Sequence, residues 1–457
     1  MEISKFIITQ ELDNSSGMVL VYSTLTTAIV TLDKKFYHRI FELADYSDTQ
    51  LTEKLVSLGI LTPSHALQLR QLDDQRAISM DSDKQHLTIF TTTDCNARCF
   101  YCFENGIKHI DMSKGVADAT LQFIYNTFPN KELSIGWIGG EPLLRFDTIK
   151  YITEQLVCRG YTLTSGVSTN GILLTKEMIE FFKRNNKQMA FQFSMDAAVG
   201  NDYYKMKRYI DYDEENAFQH VVDNICMSMD YGITTDVRIN YVASKIEDAK
   251  IAFRTIKEMV AGHDMSHTYI FLVPIDLPSS NEVISNYHGS IEHPCLQAIK
   301  FQKDMGFGVP RSQRVTPIRD ELEKLHGDII ASYSLMPQCY ICGMTTKHKF
   351  VIDSDGTLYK CHRLAGHKEY NCGTVFDGIN INSDNYRQFR KTTIQDNQCL
   401  TCSILPICQG GCIGRRTLCG ESQKCNKIKQ IQKELVRLCY DESMKYDKNG
   451  IVQISSI

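Results

Sequence analysis

Between residues 87 and 273 the sequence alternates short apolar segments, typical of strands, with amphipathic segments of helical periodicity. The predicted strands are 87–92, 133–138, 162–168, 190–194, 236–242 and 268–273. Repeated strand–helix units favour a parallel sheet with right-handed crossovers. We therefore predict an α/β fold, a partial (β/α)6 TIM-like barrel over residues 86–284. Its functional residues should lie at the carboxyl ends of the strands, where such barrels place their sites.

The first 85 residues predict a smaller α+β module. Its predicted strands are 6–9, 18–22 and 28–32, and its predicted helices are 34–44 and a second one that starts at Ser47 or Thr49 and ends near Gly59. Three short strands with packed helices resemble a winged-helix module. The polar residues 81–84 are the predicted linker to the barrel.

Composition limits the location and the partners of the chain. The formal net charge of -4 favours neither nucleic acid nor an anionic membrane as a partner. The first nine residues lack a signal-peptide pattern, and no apolar run approaches the roughly 20 residues that span a bilayer. We therefore expect a cytoplasmic protein. In a reducing cytosol, 17 cysteines indicate metal ligation more than disulfides.

Three cysteines, Cys95, Cys99 and Cys102, follow the first predicted barrel strand with the spacing C-x3-C-x2-C. Three thiolates on so short a loop can bind three corners of a cubane iron–sulfur cluster. Because no fourth cysteine is nearby, one iron can accept an outside ligand. The alternatives are a zinc site, whose structural versions use four ligands, and three unrelated buried cysteines.

Further motifs follow the next three predicted strands. Gly139-Gly140-Glu141-Pro142 follows the second strand, Ser168-Thr169-Asn170-Gly171 ends the third, and Ser194 lies at the end of the fourth, two residues before Asp196. Each motif alone is weak, since Gly-Gly and Asn-Gly are common in turns. Their order at successive strand ends indicates one shared site.

Together these motifs resemble the signature of the radical S-adenosylmethionine (SAM) enzymes, in which an aromatic residue, here Tyr101, precedes the last cysteine of the loop. The resemblance implies that Cys95, Cys99 and Cys102 bind a [4Fe–4S] cluster at the catalytic centre. In the family, the free iron binds the amino and carboxylate groups of S-adenosylmethionine. One electron from the cluster then releases methionine and a 5′-deoxyadenosyl radical.

The resemblance also assigns contacts to S-adenosylmethionine. Glu141 is expected to accept a hydrogen bond from the ammonium group, and Ser194 to contact the carboxylate. The family often has an arginine after that serine in a His-Asp-x-x-Arg segment, which is missing here, so the predicted cation is Lys205 or Arg208. The other implied cofactor-binding residues are Tyr101, Gly139, Gly140, Pro142, Thr169 and Asn170.

The cysteines after residue 338 resemble the seven-cysteine SPASM domain, an extension of radical enzymes that modify peptides; a zinc ribbon is the rival interpretation. The resemblance implies two auxiliary [4Fe–4S] clusters within residues 285–457, a bridging region and SPASM domain. Their implied ligands are Cys342, Cys361 and Cys412 for the first, with Cys339 as its candidate fourth ligand, and Cys399, Cys402, Cys408 and Cys425 for the second. If Cys339 is not a ligand, the first auxiliary cluster has a free iron for a substrate thiolate.

The residue after Cys361 separates two groups of relatives. Anaerobic sulfatase maturases carry an aspartate there that serves as a base, whereas this chain has His362. Cys-His resembles the maturases that form thioether links in ribosomally made peptides (ranthipeptide or sactipeptide type). These commonly carry an N-terminal module that binds the leader of the precursor as an added strand, which fits residues 1–85.

The predicted function is therefore radical formation of cysteine sulfur-to-carbon thioether links in a ribosomal precursor peptide. The expected partners are that precursor, with its N-terminal leader, and a flavodoxin or ferredoxin-type electron donor. Sulfatase-maturase-like chemistry, carbon–carbon crosslinking and epimerisation remain open. A non-catalytic iron–sulfur electron-transfer protein is the alternative from a different class.

Overall fold

The computed structural model describes residues 1–12, 17–199, 206–210, 212, 217–275, 294–307, 342–420, 428–446 and 451–454. The chain divides into two units. One contains the described parts of Met1–Asp81, Arg311–Gly343 and Lys391–Ile457, and the other those of Ser82–Pro310 and Met344–Arg390. None of the helices in these described stretches combines the length and the apolar character needed to cross a bilayer.

An antiparallel sheet forms the centre of the N-terminal module. After the two-residue strand β1 (Glu2–Ile3), its strands are β2 (Ile7–Glu11), β3 (Met18–Ser23) and β4 (Ile29–Asp33). They pair as a meander, with β3 between β2 and β4. A further strand, β5 (Leu61–Thr62), pairs with β1. The three strands predicted in this region are confirmed.

Three helices follow or surround this sheet. They are α1 (Lys34–Tyr37), which continues into a π-helical turn at His38–Glu42, α2 (Thr49–Ser57) and α3 (His65–Met80). Asp33, Asp48 and Ser64 cap them, each accepting a hydrogen bond from a backbone N–H of the first turn. The sequence did not predict α3, because its buried face includes the polar residues Gln68 and Arg76 and shows no apolar stripe.

The second unit is built on strands that alternate with helices. Its strands up to residue 274 are β6 (His86–Phe90), β7 (Ala97–Cys99), β8 (Glu132–Ile138), β9 (Thr162–Thr169), β10 (Gln188–Asp196), β11 (Lys207–Tyr209), β12 (Thr234–Tyr241) and β13 (Thr268–Pro274). Its helices up to residue 304 are α4 (Lys114–Thr127), α5 (Phe146–Cys158), α6 (Lys176–Asn185), α7 (Ala217–Asp230), α8 (Ile246–Met259) and α9 (Pro294–Asp304).

Six of these strands form one parallel sheet in the chain order β6, β8, β9, β10, β12 and β13. A helix lies in each of the five connections, so the predicted strand–helix alternation is confirmed. Strand residues such as Ile89, Trp137 and Phe193 are fully buried in one apolar core with helix residues such as Ile149 and Phe253. The alternate residues of each strand are therefore left to line the opposite face of the sheet.

A strand from far along the chain extends this sheet. β14 (Lys349–Ile352) pairs parallel to β6, and β15 (Leu358–Tyr359) pairs antiparallel to β14. A short ribbon of β16 (Gly373–Thr374) and β17 (Gly378–Ile379) and the helix α10 (Asp384–Arg387) follow. The region predicted as 285–457 is thus divided between the two units. A lone four-residue strand carries no local periodicity that would reveal its partner.

The last part of the chain packs with the N-terminal module. Its elements are α11 (Asn397–Leu400), α12 (Leu405–Cys408), α13 (Ile413–Cys419), α14 (Ile428–Tyr446) and β18 (Ile451–Ile454). The Thr24 hydroxyl donates to the carbonyl of Ser403, and Phe6 packs against Leu72 and Leu405. β18 pairs parallel to β4, which adds a fourth strand to the N-terminal sheet.

Candidate functional site

The cysteine loop leaves the carboxyl end of β6 and is fixed by hydrogen bonds on both sides. Thr92 Oγ1 donates to Asp111 Oδ1 at 2.7 Å, and Thr93 Oγ1 donates to the Lys108 carbonyl at 2.8 Å. Because these threonines lie two and three residues before Cys95, residues 95–102 begin from a fixed position. Within this loop, Cys99 is the last residue of the short strand β7.

The structure brings the three predicted cluster cysteines together. Burial raises the pKa of Cys95 to about 12 and that of Cys99 to about 11, and burial also raises the pKa of Cys102. The three thiols influence one another's pKa as well, since each thiolate would repel the next. Such a site favours thiolates only when a positively charged group joins them, and the irons of a cluster supply that charge.

No three Cys, His, Asp or Glu side chains of the described residues are close enough together to bind a single metal ion. A cubane cluster is bound through thiolates at separate corners, so its ligands are spread more widely than those of one ion. Three thiols on one loop that hydrogen bonds hold in place therefore fit a [4Fe–4S] cluster bound by Cys95, Cys99 and Cys102.

Two glycines at the end of β8 pack directly on the cysteine loop. A Cβ atom on Gly139 would lie 2.1 Å from the carbonyl oxygen of Thr92, and one on Gly140 would lie 2.1 Å from that of Asp94. The Gly140 N–H donates to the Thr92 carbonyl at 3.2 Å, and the Glu141 N–H donates to the Asp94 carbonyl at 2.9 Å. Positions 139 and 140 therefore need glycine to hold the loop backbone, in addition to any approach to a ligand.

Glu141 is buried, with 1% of its surface exposed, and it joins the ends of β8 and β9. Its Oε1 accepts from the Thr169 hydroxyl at 2.8 Å, and its Oε2 accepts from the Asn170 N–H at 2.7 Å. Burial raises its pKa to about 6, although these hydrogen bonds favour the carboxylate. The contact of Glu141 with an ammonium group stays a prediction. Pro142, the next residue, begins a short 3-10 turn.

Asn170 connects the end of β9 to the cysteine loop. Its side-chain Nδ2 donates to Asn96 Oδ1 at 2.7 Å and lies 3.9 Å from Cys95 Sγ. An N–H group aimed at the sulfur stabilises a thiolate there. Its carbonyl accepts from the Tyr209 hydroxyl of β11 at 3.2 Å.

A polar network lies beside Tyr101, on the face of the sheet opposite the apolar core. The Tyr101 hydroxyl donates to Asp196, and Asn240 Nδ2 donates to the Tyr101 oxygen at 3.2 Å. Arg238 Nε donates to Asn240 Oδ1 at 3.0 Å. Asp196 and Asn240 are paired in the β10–β12 register, as are Ser194 and Arg238, so two neighbouring strands supply the network.

Lys207 is the buried cation of this site, with 1% of its surface exposed. It lies on β11, which pairs antiparallel with β7, and it is opposite Cys99. Its ammonium group donates to the Ser194 carbonyl. Burial raises the pKa values of Asp196, Glu141 and Cys99, and the charge of Lys207 opposes this rise.

The two cations predicted from the sequence, Lys205 and Arg208, are not the buried cation that the structure shows. Lys205 lies outside the described residues, and Arg208 is exposed and opposite Arg98 in the same β7–β11 pairing. Sequence reasoning missed Lys207, Arg238 and Asn240. The only signal for Lys207 is the alternation along a very short strand. Lys207 and Tyr209 are buried, whereas residues 206 and 208 are not.

His362 lies beside the same loop. Its ring packs edge-on against that of Phe103, with the ring centres 5.9 Å apart, and Phe103 directly follows Cys102. Desolvation by the surrounding protein, followed by the charges of Arg363 and Arg238, lowers the pKa of His362. The residue after Cys361 is therefore close to the cluster loop.

Comparison with known proteins agrees with this geometry. Residues 89–250 match the model of the Radical SAM superfamily. The chain contains a radical SAM domain. The radical SAM cyclopropyl synthase TigE of Paramaledivibacter caminithermalis is 21% identical over 350 residues, which are 72% of this chain and 67% of that protein. The serine-type anaerobic sulfatase-maturating enzyme of Bacteroides thetaiotaomicron is 22% identical over 70% of this chain and 80% of that protein.

Solved structures of the enzyme anSMEcpe share the fold of this radical SAM domain. The histidine-tagged protein with bound AdoMet is 18% identical, and the match covers 80% of this chain and 100% of that chain with a TM-score of 0.57. The α/β fold around a central parallel sheet, consistent with a partial TIM barrel, is thereby confirmed. A radical SAM domain implies a [4Fe–4S] cluster and S-adenosylmethionine. Bound together, they supply a 5′-deoxyadenosyl radical.

Specific residues of the chain would hold the cluster and S-adenosylmethionine. Cys95, Cys99 and Cys102 supply the thiolates, and the fixed residues 139–141 hold the loop that carries them. Lys207 places a positive charge next to the Ser194 carbonyl, where a carboxylate is expected. Asp196 presents a buried carboxylate oxygen, Oδ2, without a hydrogen-bond partner, which suits a donor group such as a hydroxyl.

The C-terminal cysteines are distributed over both units. Cys399, Cys402 and Cys408 are partly buried on α11 and α12 and the turn between them, and Cys412 is exposed. Cys361 is buried and belongs to the unit of the parallel sheet, whereas Cys342 is exposed. Cys339 and Cys425 lie outside the described residues. The two auxiliary clusters stay a prediction.

Proposed function

We propose that this chain is a radical SAM maturase that forms thioether crosslinks in a ribosomally made peptide. The observation that carries the proposal is His362, which lies against Phe103 beside the cluster loop. Sulfatase maturases resembled by this chain carry an aspartate at that position, and thioether-forming maturases carry Cys-His. The link joins a cysteine sulfur to a carbon of an acceptor residue. That carbon gives up a hydrogen atom to the 5′-deoxyadenosyl radical, the thiol gives up its proton, and the remaining electron leaves through the iron–sulfur clusters, so the peptide loses two hydrogens.

Relatives support a peptide as the substrate. Two of them are named as anaerobic sulfatase-maturating enzymes, and a structure of anSMEcpe contains a Cp18Cys peptide together with AdoMet. We further propose a winged-helix-like leader-binding module in residues 1–85, a SPASM domain with two auxiliary clusters, a flavodoxin or ferredoxin-type electron donor and a cytoplasmic location. The predicted contacts of Glu141, Ser194 and the other motif residues with S-adenosylmethionine are part of the same proposal.

The test uses the anaerobically reconstituted chain, S-adenosylmethionine, dithionite and the cysteine-rich precursor encoded beside its gene. We expect 5′-deoxyadenosine and a peptide that loses two hydrogens for each link. Each link should also remove one thiol from alkylation by iodoacetamide. The matched control is the Cys95→Ala, Cys99→Ala, Cys102→Ala variant, which should produce neither.

Alkylation separates the alternatives. A carbon–carbon crosslink also removes two hydrogens but leaves every thiol reactive, and epimerisation leaves the mass unchanged. Oxidation of serine to formylglycine gives an aldehyde that a hydrazine reagent captures. Any of these results would replace the thioether assignment. A complete lack of 5′-deoxyadenosine would instead favour a non-catalytic electron-transfer protein.

A further inference from the structure

The outer edge of β4 is covered by a strand from the other end of the chain. β18 runs parallel to β4, with Ile451 opposite Ile29 and Ile454 opposite Leu32. β4 pairs on its other side with β3, and β18 pairs with no second strand among the described residues. A four-residue segment, more than 400 residues away in sequence, therefore occupies the edge that the N-terminal module would otherwise leave open.

This pairing has the features of an exchangeable contact. A parallel pair is slightly less stable per residue than an antiparallel one, and this pair is only four residues long. A vacated edge presents a row of backbone N–H and C=O groups that another extended chain can pair with.

The β4 edge is also the favoured place for an added strand. The sheet order is β18, β4, β3 and β2, so β2 forms the other edge. α14 contacts both outer strands, β2 and β18, but among the described residues only the β4 edge carries an added strand. Displacing β18 would expose backbone groups of β4 over residues 29–32.

We propose that β18 is an intramolecular competitor for the β4 edge, and that an extended segment of the peptide substrate displaces it to pair parallel to β4. The identity of the displacing segment rests on the proposed function. The sequence Ile451-Val452-Gln453-Ile454 indicates the chemistry of the occupant: a short, uncharged segment rich in β-branched residues.

A tethered competitor is present at an effective concentration of the order of millimolar. A peptide that binds the same edge must overcome this competition, so removal of β18 should strengthen its binding by about tenfold or more.

The experiment compares the full chain with a chain that ends at Tyr446. The probe is a fluorescein-labelled synthetic peptide with the sequence of residues 448–457, measured by fluorescence anisotropy. We expect the shortened chain to bind the probe at least about tenfold more tightly than the full chain. The control probe carries proline in place of Val452 and Gln453, which removes backbone donors, and it should not bind.

Two outcomes would overturn the proposal: no binding of the probe by the shortened chain, or equal binding by both chains. A full-length Val452→Pro, Gln453→Pro variant keeps the chain length and should bind the probe like the shortened chain, which guards against a folding defect of the truncation. Light scattering adds a further check. A full chain that dimerises through its last residues would contradict pairing within one molecule.

The probe measurement needs neither a cluster nor a reaction, so it is independent of the thioether assignment. In the second arm, the precursor is converted by both chains, and the shortened chain should have a lower KM with an unchanged kcat. If the shortened chain binds the probe of residues 448–457 but its KM for the precursor is unchanged, the substrate is not the displacing strand. Binding in a chain that forms no thioether would reject the proposed function alone.

Discussion

At the scale of single residues, the site depends on positions where a side chain would prevent two backbone segments from meeting. Gly139 and Gly140 are two such positions, because a Cβ atom on either would overlap a carbonyl of the cysteine loop. Gly139 also has a φ of 146°, in the region that favours glycine. The sequence indicated these glycines only as a motif after the second strand and as implied cofactor-binding residues. It could not show that they contact the cysteine loop itself.

Gly140→Ala should displace the cysteine loop, because its Cβ would lie 2.1 Å from the Asp94 oxygen and 2.4 Å from the Asp94 carbonyl carbon. We expect the iron content to fall by about one cluster per chain and 5′-deoxyadenosine formation to fall at least about a hundredfold, about 2.7 kcal/mol in the barrier. Gly136→Ala is the matched control on the same strand, since its Cβ has no neighbour closer than 3.7 Å. Full iron loading in Gly140→Ala would contradict the packing role.

His86, at the start of β6, should make stability depend on pH. Burial, and then the charge of Lys349, lower its pKa from 6.5 to about 4, so the folded state favours the neutral ring. Its contribution is present above pH 6.5 and is lost as the pH falls from 6.5 toward 4. We expect a loss of about 2–3 kcal/mol over this range in urea unfolding of the wild type. His86→Asn should show a smaller loss, and parallel curves for the two proteins would disprove the assignment.

At the scale of elements, local patterns predicted the six strand–helix repeats, since each strand and helix carries its own periodicity. Local patterns did not predict what depends on pairing between distant segments. Lys207 joins the site because β11 pairs with β7, and Arg238 joins it through the register of β12 with β10. The addition of β14 to β6 depends on a pairing across more than 250 residues, which no local window contains.

Lys207→Met tests whether the pairing of β11 with β7 brings the cation of the site into position. Loss of the ammonium group leaves the buried Asp196 carboxylate without the positive charge that most lowers its pKa. We expect a decrease of about 2–4 kcal/mol in the free energy of unfolding and a higher KM for S-adenosylmethionine.

Arg208→Met is the matched control for this change. Arg208 is adjacent in sequence but exposed on the opposite side of β11, so its loss should change stability by no more than about 0.5 kcal/mol. Equal effects of the two substitutions would show that the cation of the site is not Lys207.

At the scale of the whole molecule, the two ends of the chain fold together. The N-terminal module was predicted as a domain of its own, but residues 391–454 contribute contacts and a strand to the same unit. Residue patterns within 1–85 predicted its strands correctly. They could not reveal that polar residues of α3 are buried because the distant C-terminal segment supplies their partners.

Arg76 on α3 is the clearest of these residues, with 1% of its surface exposed. Its guanidinium donates to Gln409 Oε1 from Nε at 3.1 Å and from Nη2 at 2.6 Å, and to the Thr392 carbonyl from Nη1. Asp73 on the same helix accepts a further hydrogen bond at 2.9 Å. One buried cation thus holds two segments that are more than 300 residues apart in sequence.

A double-mutant cycle should measure this connection in urea unfolding. Arg76→Met removes every hydrogen bond of the guanidinium and should cost about 2–4 kcal/mol, whereas Gln409→Leu leaves two N–H groups of the buried guanidinium without their shared acceptor and should cost about 1–3 kcal/mol. The double variant should lose about 1–2 kcal/mol less than the sum, because Gln409 has no guanidinium to satisfy once Arg76 is gone. Arg70→Met, on the exposed face of α3 and 4.0 Å from Asp74, is the control and should stay within about 0.5 kcal/mol of wild type. Strictly additive losses would mean that the Arg76–Gln409 contact does not connect the two segments and that other contacts do, such as Arg76 with the Thr392 carbonyl or β18 on β4.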